Sequence, residues 1–203
     1  SIVQDPAAQL VVRYMDIDPG TKVADLCAAP GGKALAASVG ASYTVAADRS
    51  ESRIRMVREN ADRTGRRVSC VVADAAHPPL VDADVVLLDV PCTGTGTLAR
   101  HPDARWRLRP ESVTELTAVQ DRMLEAGATT VGRGGLLVYS TCTLEPEENG
   151  ERIEAFLNAH PDFTIENSGS VSSNFIDEHG YLSVLPHEAG FDGSFAARLR
   201  RSE

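Results

Sequence analysis

The stretch Val23-Ala24-Asp25-Leu26-Cys27-Ala28-Ala29-Pro30-Gly31-Gly32-Lys33 changes character midway. Apolar residues of strand type give way to a turn of small residues, and a helical pattern follows. The chain repeats this unit. Short apolar runs at 23–27, 44–47, 69–73, 85–88 and 136–139 read as strands, and helical stretches at 33–39, 50–65, 111–132 and 146–158 alternate with them. That order predicts an α/β fold of the Rossmann-like kind, a mostly parallel sheet with helices on both faces. Ser50 is placed to cap the second helix and Gly65 to stop it, while Pro146, flanked by Glu145, Glu147 and Glu148, opens the fourth. Beyond Pro161 the chain turns strand-like and loop-rich, and 194–200, after the Asp192-Gly193 turn, is expected to add a last antiparallel strand.

With 203 residues, 42% hydrophobic and 24% charged, the chain can bury one good core, so one domain over 1–203 is expected, with a lead-in helix within 1–20. That apolar content excludes disorder, and the longest apolar runs are too short for a membrane span. The net charge of −9 excludes a general polyanion-coating protein. It does not exclude a local nucleic-acid site, because residues 143–197 hold eleven acids against Arg152 alone and leave the rest near neutral. Of the 20 cations, 18 are Arg, and the two lysines are Lys22 and Lys33. Four cysteines without an N-terminal signal pattern read as reduced thiols in a cytoplasmic, monomeric protein.

In an open parallel sheet, ligands bind beyond the carboxyl ends of the strands. Cys27, Ala28, Ala29, Pro30, Gly31, Gly32 and Lys33 would let a ligand approach backbone amides at a helix start, and Asp48, Asp74 and Asp89 end the next three strands. Any one of these acids could merely cap a loop, but three on successive strand ends point to a nucleoside-bearing cofactor. The dinucleotide fingerprint G-x-G-x-x-G and the phosphate loop G-x-x-x-x-G-K-[ST] are both absent, and clustered acids would repel a pyrophosphate. S-adenosylmethionine, which has a ribose, an adenine amine and a sulfonium cation but no phosphate, suits such a pocket.

Cys92 and Cys142 lie just past strand ends expected to be neighbours, in polar loops where an inert buried thiol is the weaker reading; Cys27 and Cys70 read as small hydrophobes. No Cys-x-x-Cys or nearby His pair supports a metal or a thioredoxin-like redox role, so no metal is expected and covalent catalysis is the better use.

The segments Asp25-Leu26-Cys27-Ala28-Ala29-Pro30-Gly31-Gly32-Lys33, Asp89-Val90-Pro91-Cys92-Thr93-Gly94, His101-Pro102-Asp103 with Trp106, and Ser140-Thr141-Cys142-Thr143 with Glu147-Glu148-Asn149 resemble the successive motifs of the Fmu/Sun family of RNA cytosine-5 methyltransferases. The likeness runs from Gln4-Asp5-Pro6 to Gly190-Phe191-Asp192-Gly193. It departs at Val90, where the family commonly has Ala, and in lacking the N-terminal RNA-binding region of many members. The resemblance implies that Cys27 through Lys33 form the cofactor loop, Asp48 holds the ribose, Asp74 approaches the adenine amine, and Asp89 lies between cofactor and substrate. It also implies Cys142 as nucleophile and Cys92 as the thiol assisting release; spacing alone leaves their order open.

Carbon 5 of cytosine is a poor nucleophile until a thiolate adds at carbon 6, so the site must help a thiol ionise, and Asp89 would steady the charge that builds on the ring. The target base must leave its stack, which is easiest in single-stranded or distorted RNA, ribosomal RNA first and transfer RNA second. Arg100, His101, Arg105, Trp106, Arg107 and Arg109 follow the Cys92 loop, with Arg100 expected on a phosphate and Trp106 either stacking on a base or anchoring the core. Arg53 is expected to point back toward the cofactor end. Two rivals are an amino-group methyltransferase of nucleic acid or protein, which needs no nucleophilic thiol, and a non-catalytic RNA-binding scaffold.

Overall fold

A computed structural model describes residues 3–203. Its elements are, in order, α1 (Pro6–Met15), β1 (Lys22–Asp25), α2 (Gly32–Ala37), β2 (Tyr43–Asp48), α3 (Glu51–Thr64), β3 (Ser69–Val72), β4 (Ala83–Asp89), α4 (Pro110–Thr130), β5 (Val131–Thr141), α5 (Gly150–Ala159), β6 (Phe163–Ile165), β7 (Leu182–Val184), α6 (Pro186–Ala189) and β8 (Ser194–Arg201). The sheet runs β3-β2-β1-β4-β5-β8-β6, and β7 also pairs with β8. The first five strands in that order are mutually parallel, and β8 runs antiparallel to β5 with Leu136 opposite Arg200 and Thr141 opposite Phe195. This is the mostly parallel, doubly wound sheet that the alternating pattern predicts, with its antiparallel last strand.

Period-two alternation along the central strands divides the core. Val86 and Leu88 of β4, with Leu137 and Tyr139 of β5, pack with Met123, Leu124 and Ala128 of α4 and Ile153 and Phe156 of α5. The residues between them, Val85, Leu87, Leu136 and Val138, pack on the other face with Met15 of α1 and Ala37 of α2. Ile54 and Val57 of α3 extend that face against Ala34 and Ala46. Each wholly buried Leu or Ile contributes about 1.5–3 kcal/mol.

Helix α1 begins where Asp5 Oδ1 accepts the Ala7 N–H at 2.8 Å, with Pro6 at its first position. Its carboxyl end is fixed from the sheet by the buried Arg198 of β8, which donates to the Tyr14 and Met15 carbonyls at 2.9 Å each and pairs with Glu166. The expected Ser50 cap and Gly65 stop of α3 are both present, Gly65 being left-handed at φ 65°.

Among the boundaries that differ from the sequence reading, three bear on the site. Strand β1 ends at Asp25, so Cys27 belongs to the turn and not the strand. Helix α4 stops at Thr130, not near residue 132, because the β-branched Val131 turns extended and pairs with Ala83, and Gly132, Gly134 and Gly135 take up a register shift before Leu136. The helix expected over 146–158 is broken, a 3-10 turn at Pro146–Glu148 being separated from α5 by Asn149 at φ −116°, ψ −110°. Consecutive helical residues point about 100° apart, and the break lets both Glu148 and Asn149 turn inward, where both are buried.

Candidate active site

Asp25, Asp48 and Asp89 close β1, β2 and β4 at their carboxyl ends, side by side because β1 pairs with both β2 and β4. The segment from Cys27 to Lys33 crosses this edge. Gly31 takes φ 107°, and a side chain there would press on Val57 Cγ1 at 3.2 Å, so glycine is needed for both the turn and the packing. Arg53 donates to the Ala29 carbonyl at 2.9 Å and faces Asp48 Oδ2 at 3.6 Å, so it reaches back to the loop after β1 and the end of β2. Asp48 Oδ1 accepts the Ser50 N–H at 3.0 Å.

Lys33 bridges the two halves of the edge, its Nζ meeting Asp89 Oδ2 at 2.7 Å, while Asp89 Oδ1 accepts the Ser140 hydroxyl at 2.8 Å. Burial pulls the Lys33 pKa down, but Asp89 outweighs it and leaves the ammonium group more basic than usual. Asp25, which the sequence reading did not single out, is 1% exposed; Oδ1 accepts the Cys27 N–H at 3.2 Å and Oδ2 has no partner. Burial first and Asp89 second push its carboxyl up to about 7. The signal was an acid closing an apolar strand. Asp74 lies apart, exposed beyond the end of β3, with Oδ1 accepting Ala76 N–H at 2.9 Å.

Because β4 and β5 are adjacent and parallel, their exit loops leave together. They bring Cys92 Sγ and Cys142 Sγ to 3.5 Å, and the Cys142 N–H also faces Cys92 Sγ at 3.4 Å. The hydrogen bond between the thiols, then burial, pushes Cys92 well above the ordinary thiol range. The same contact holds the more exposed Cys142 below that range against burial and Asp89, with Lys33 assisting. Burial and the surrounding acids push Cys27 well up, and burial pushes Cys70 up, consistent with inert thiols.

Threonine hydroxyls lace the two loops together: Thr143 Oγ lies 2.7 Å from Thr93 Oγ and 3.0 Å from Thr95 Oγ, and Thr95 Oγ accepts the Leu144 N–H at 2.9 Å. Gly96 donates to the Cys142 carbonyl at 3.0 Å and accepts from Gly193 N–H at 2.8 Å. Behind them, Glu148 receives Thr93 and Gln120, and Asn149 receives the Thr141 hydroxyl at 2.6 Å and donates to the Thr143 carbonyl at 3.1 Å.

Arg100, expected on an RNA phosphate, grips Asp192 through two nitrogens and also pairs with Asp5, tying the Cys92 loop to the chain before α1 and to the approach to β8. Trp106 is 79% exposed, which removes the core-anchor reading, and the Arg105 guanidinium lies 4.9 Å from its ring centroid. A cleft of about 570 Å³ opens elsewhere, against Gln4, Arg13, Gly32, Leu35 and Arg66, and contains neither the cysteine pair nor the edge acids.

The family model described as 16S rRNA methyltransferase RsmB/F matches residues 12–200. The chain belongs to this family. It is 38% identical to the probable ribosomal RNA small subunit methyltransferase B of Synechocystis, over 98% of this chain and 47% of that protein. It is 36% identical to the ribosomal RNA small subunit methyltransferase B of Yersinia pseudotuberculosis, over 97% of this chain and 46% of that one. Among solved structures it is similar to NSun6 of Pyrococcus horikoshii crystallised with SFG, at 29% identity and a TM-score of 0.87, over 98% of this chain and 53% of that one. The chain thus spans about half the length of the curated relatives it matches. Within the RsmB/F family the fold is the Rossmann-like methyltransferase fold, as expected.

Proposed function

We propose that this chain methylates carbon 5 of cytosine in RNA, using S-adenosylmethionine and a transient bond between Cys142 and carbon 6 of the base. The observation that carries the reading is the sulfur pair at 3.5 Å, with Cys142 easier and Cys92 harder to ionise than an ordinary thiol. Relatives named as ribosomal RNA small subunit methyltransferases favour small-subunit ribosomal RNA over transfer RNA as substrate. Ribosomal RNA and reduced thiols together support a cytoplasmic setting; among the described residues no helix is long and apolar enough to cross a membrane.

The donor set fits the cofactor. Asp25 has a buried carboxylate oxygen without a partner, Asp48 and Asp89 lie beside it, and acids suit a ligand that carries positive charge and hydroxyls but no phosphate. Cys27 through Lys33 and Asp48 would hold it, with Asp74 at the adenine end. When bound, S-adenosylmethionine supplies the electrophilic methyl group that carbon 5 takes up.

The protein's own groups do the rest. The Cys142 thiolate bonds to carbon 6, and the 5,6 π electrons move into the ring, making carbon 5 nucleophilic. Asp89, held by Lys33 and Ser140, is the group offered to the polar edge of the pyrimidine. After methylation, the proton on carbon 5 goes to water, its electron pair restores the double bond, and the C6–S bond breaks with its pair on Cys142. Cys92, kept as a thiol, donates its S–H to that departing sulfur.

The test is a denaturing gel of protein mixed with cytosine-containing ribosomal RNA and cofactor. Cys142→Ala is expected to abolish both turnover and adduct, while Cys92→Ala and Cys92→Ser accumulate a stable adduct. The reverse pattern would exchange the roles, and full activity in Cys142→Ala would favour an amino-group methyltransferase.

A further inference from the structure

Both neighbours of Cys92 are held by side chains from outside its loop. The Pro91 carbonyl accepts from Gln120 Nε2 at 3.0 Å, and on the other side the Thr93 N–H lies 3.1 and 3.2 Å from the two oxygens of Glu148. The Thr93 hydroxyl also donates to Glu148, and Gln120 Nε2 donates to Glu148 Oε1 at 2.8 Å. Glu148 and Gln120 are both 0% exposed, and the Glu148 carbonyl accepts the buried Tyr139 hydroxyl at 2.7 Å.

Every group facing the Glu148 carboxylate is a donor. Only a carboxylate is acceptor-only, whereas an amide of the same shape turns an NH₂ toward one of those donors. Glu148 touches neither sulfur; apart from a through-space charge effect that helps keep Cys92 a thiol, it acts on the chemistry through the backbone around Cys92.

We propose that Glu148 is the positioning residue of Cys92: its carboxylate, locked by Gln120, fixes the Cys92 loop over Cys142 and so serves release of the methylated base more than the initial attack. The inference rests on the two-thiol reading above. Attack needs Cys142, whose own loop keeps a further anchor in Asn149 through Thr141 and Thr143. Release needs the Cys92 S–H on the departing sulfur as the C6–S bond breaks with its electron pair on Cys142 and the carbon-5 proton passes to water. A displacement of Cys92 therefore penalises the second half.

The experiment compares wild type with Glu148→Gln in the full chain, using RNA and cofactor. Assayed at a pH above the Cys142 midpoint of both proteins, first-turnover methyl incorporation is expected to stay within about threefold of wild type, steady-state turnover to fall about tenfold or more, and adduct to persist on the gel. In the protein without RNA or cofactor, the pH midpoint for iodoacetamide alkylation of Cys142, followed by mass spectrometry, is expected to rise as the Cys92 donor is lost. Parallel loss of first turnover and steady state without adduct, or an alkylation profile identical to wild type, would overturn the proposal. Should Glu148→Gln not fold, Thr93→Val removes one of the three donors and is expected to give the same split at smaller size; an even loss there counts against the role equally. If Cys92→Ala itself traps no adduct, the two-thiol reading has failed, and the alkylation shift alone decides whether Glu148 sets the sulfur pair.

Discussion

Gly96 offers a direct measure of how tightly the reacting loops are packed. A methyl group there would lie 2.8 Å from the Cys142 carbonyl oxygen, 3.0 Å from Gly193 Cα and 3.1 Å from the Gly193 carbonyl carbon. Carbon contacts are comfortable near ~3.5–4.0 Å, so three backbone atoms must each retreat by several tenths of an ångström, and no rotamer change can help. Overpacking of this kind costs about 1–3 kcal/mol. If the loops part instead, the Gly96 bonds to Cys142 and Gly193, at 3.0 and 2.8 Å, are weakened, and at about 0.5–1.5 kcal/mol each the loss is similar. Gly96→Ala is therefore expected to destabilise by about 1–3 kcal/mol, a fall in Tm of roughly 2–12 °C for a chain of this size. It should also change the pH profile of Cys142 alkylation, since the Cys142 carbonyl is the atom displaced. Gly40→Ala is the control: nothing lies within 4 Å of the added carbon, and the change should stay within about 0.5 kcal/mol. A Gly96→Ala protein with wild-type Tm and an unmoved alkylation profile would show that the two loops do not constrain each other.

Asp25→Asn tests the buried edge acid. Its folded pKa of about 7 lies above the unfolded value of 3.8, so the folded state holds the extra proton and wild-type stability falls as pH rises from about 4 to 7, by an order of 2–4 kcal/mol. Urea denaturation at pH 4 and pH 8 should show the variant gaining on wild type only at the higher pH, with cofactor affinity lost; an equal difference at both pH values would refute it. Glu166 runs the opposite way. Arg200 first, and Arg198, hold it at about 2, so its stabilisation is present above pH 4.5 and disappears as pH falls through about 2; Glu166→Gln should cost roughly 1–2 kcal/mol at pH 7 after allowance for its partial exposure, and nothing near pH 2. Trp106→Ala should leave Tm unchanged, because the ring is 79% exposed, while RNA affinity measured by fluorescence anisotropy falls by the equivalent of about 1–3 kcal/mol. An unchanged affinity would remove the ring from the RNA surface.

The existence of the strands, and the positions of Asp48, Asp89, Cys92 and Cys142 at or just past their ends, were legible because they depend on local signals: short apolar runs followed by polar residues. What stayed hidden depends on partners far apart in sequence. Lys33 and Asp89 are 56 residues apart, Thr93 and Glu148 55, Arg100 and Asp192 92. A clue to the first was compositional, since a chain that uses Arg for 18 of 20 cations places a Lys at position 33. The Arg100 pairing was hidden because proximity to the Cys92 loop says nothing about which distant acids meet the cation. The break at Asn149 was hidden because Pro146 and its flanking acids are a sound helix start; only the demand that Glu148 and Asn149 both turn inward interrupts it.

The topology explains why the proposed chemistry would divide at Asp89. The sheet order reverses at β1 and β4: from β1 the chain proceeds outward to β2 and β3, then returns to β4 on the other side of β1 and continues to β5. A crevice forms at such a switch point. The acids that suit the cofactor lie on its β1 and β2 side and the thiols on its β4 and β5 side, so Asp89, at the end of β4, borders both. Lys33 reaches it from the first half and Ser140 from the second. The ion pair thus joins the segment that would hold the donor to β4, whose exit loop carries Cys92 and whose neighbour β5 leads to Cys142, and the same ammonium group helps lower the Cys142 pKa. Replacing Lys33 by Met would leave Asp89 without its cation and Cys142 without that assistance, so both cofactor affinity and thiol ionisation should suffer from one change. A loss confined to either half would mean that the two sides of the crevice work independently.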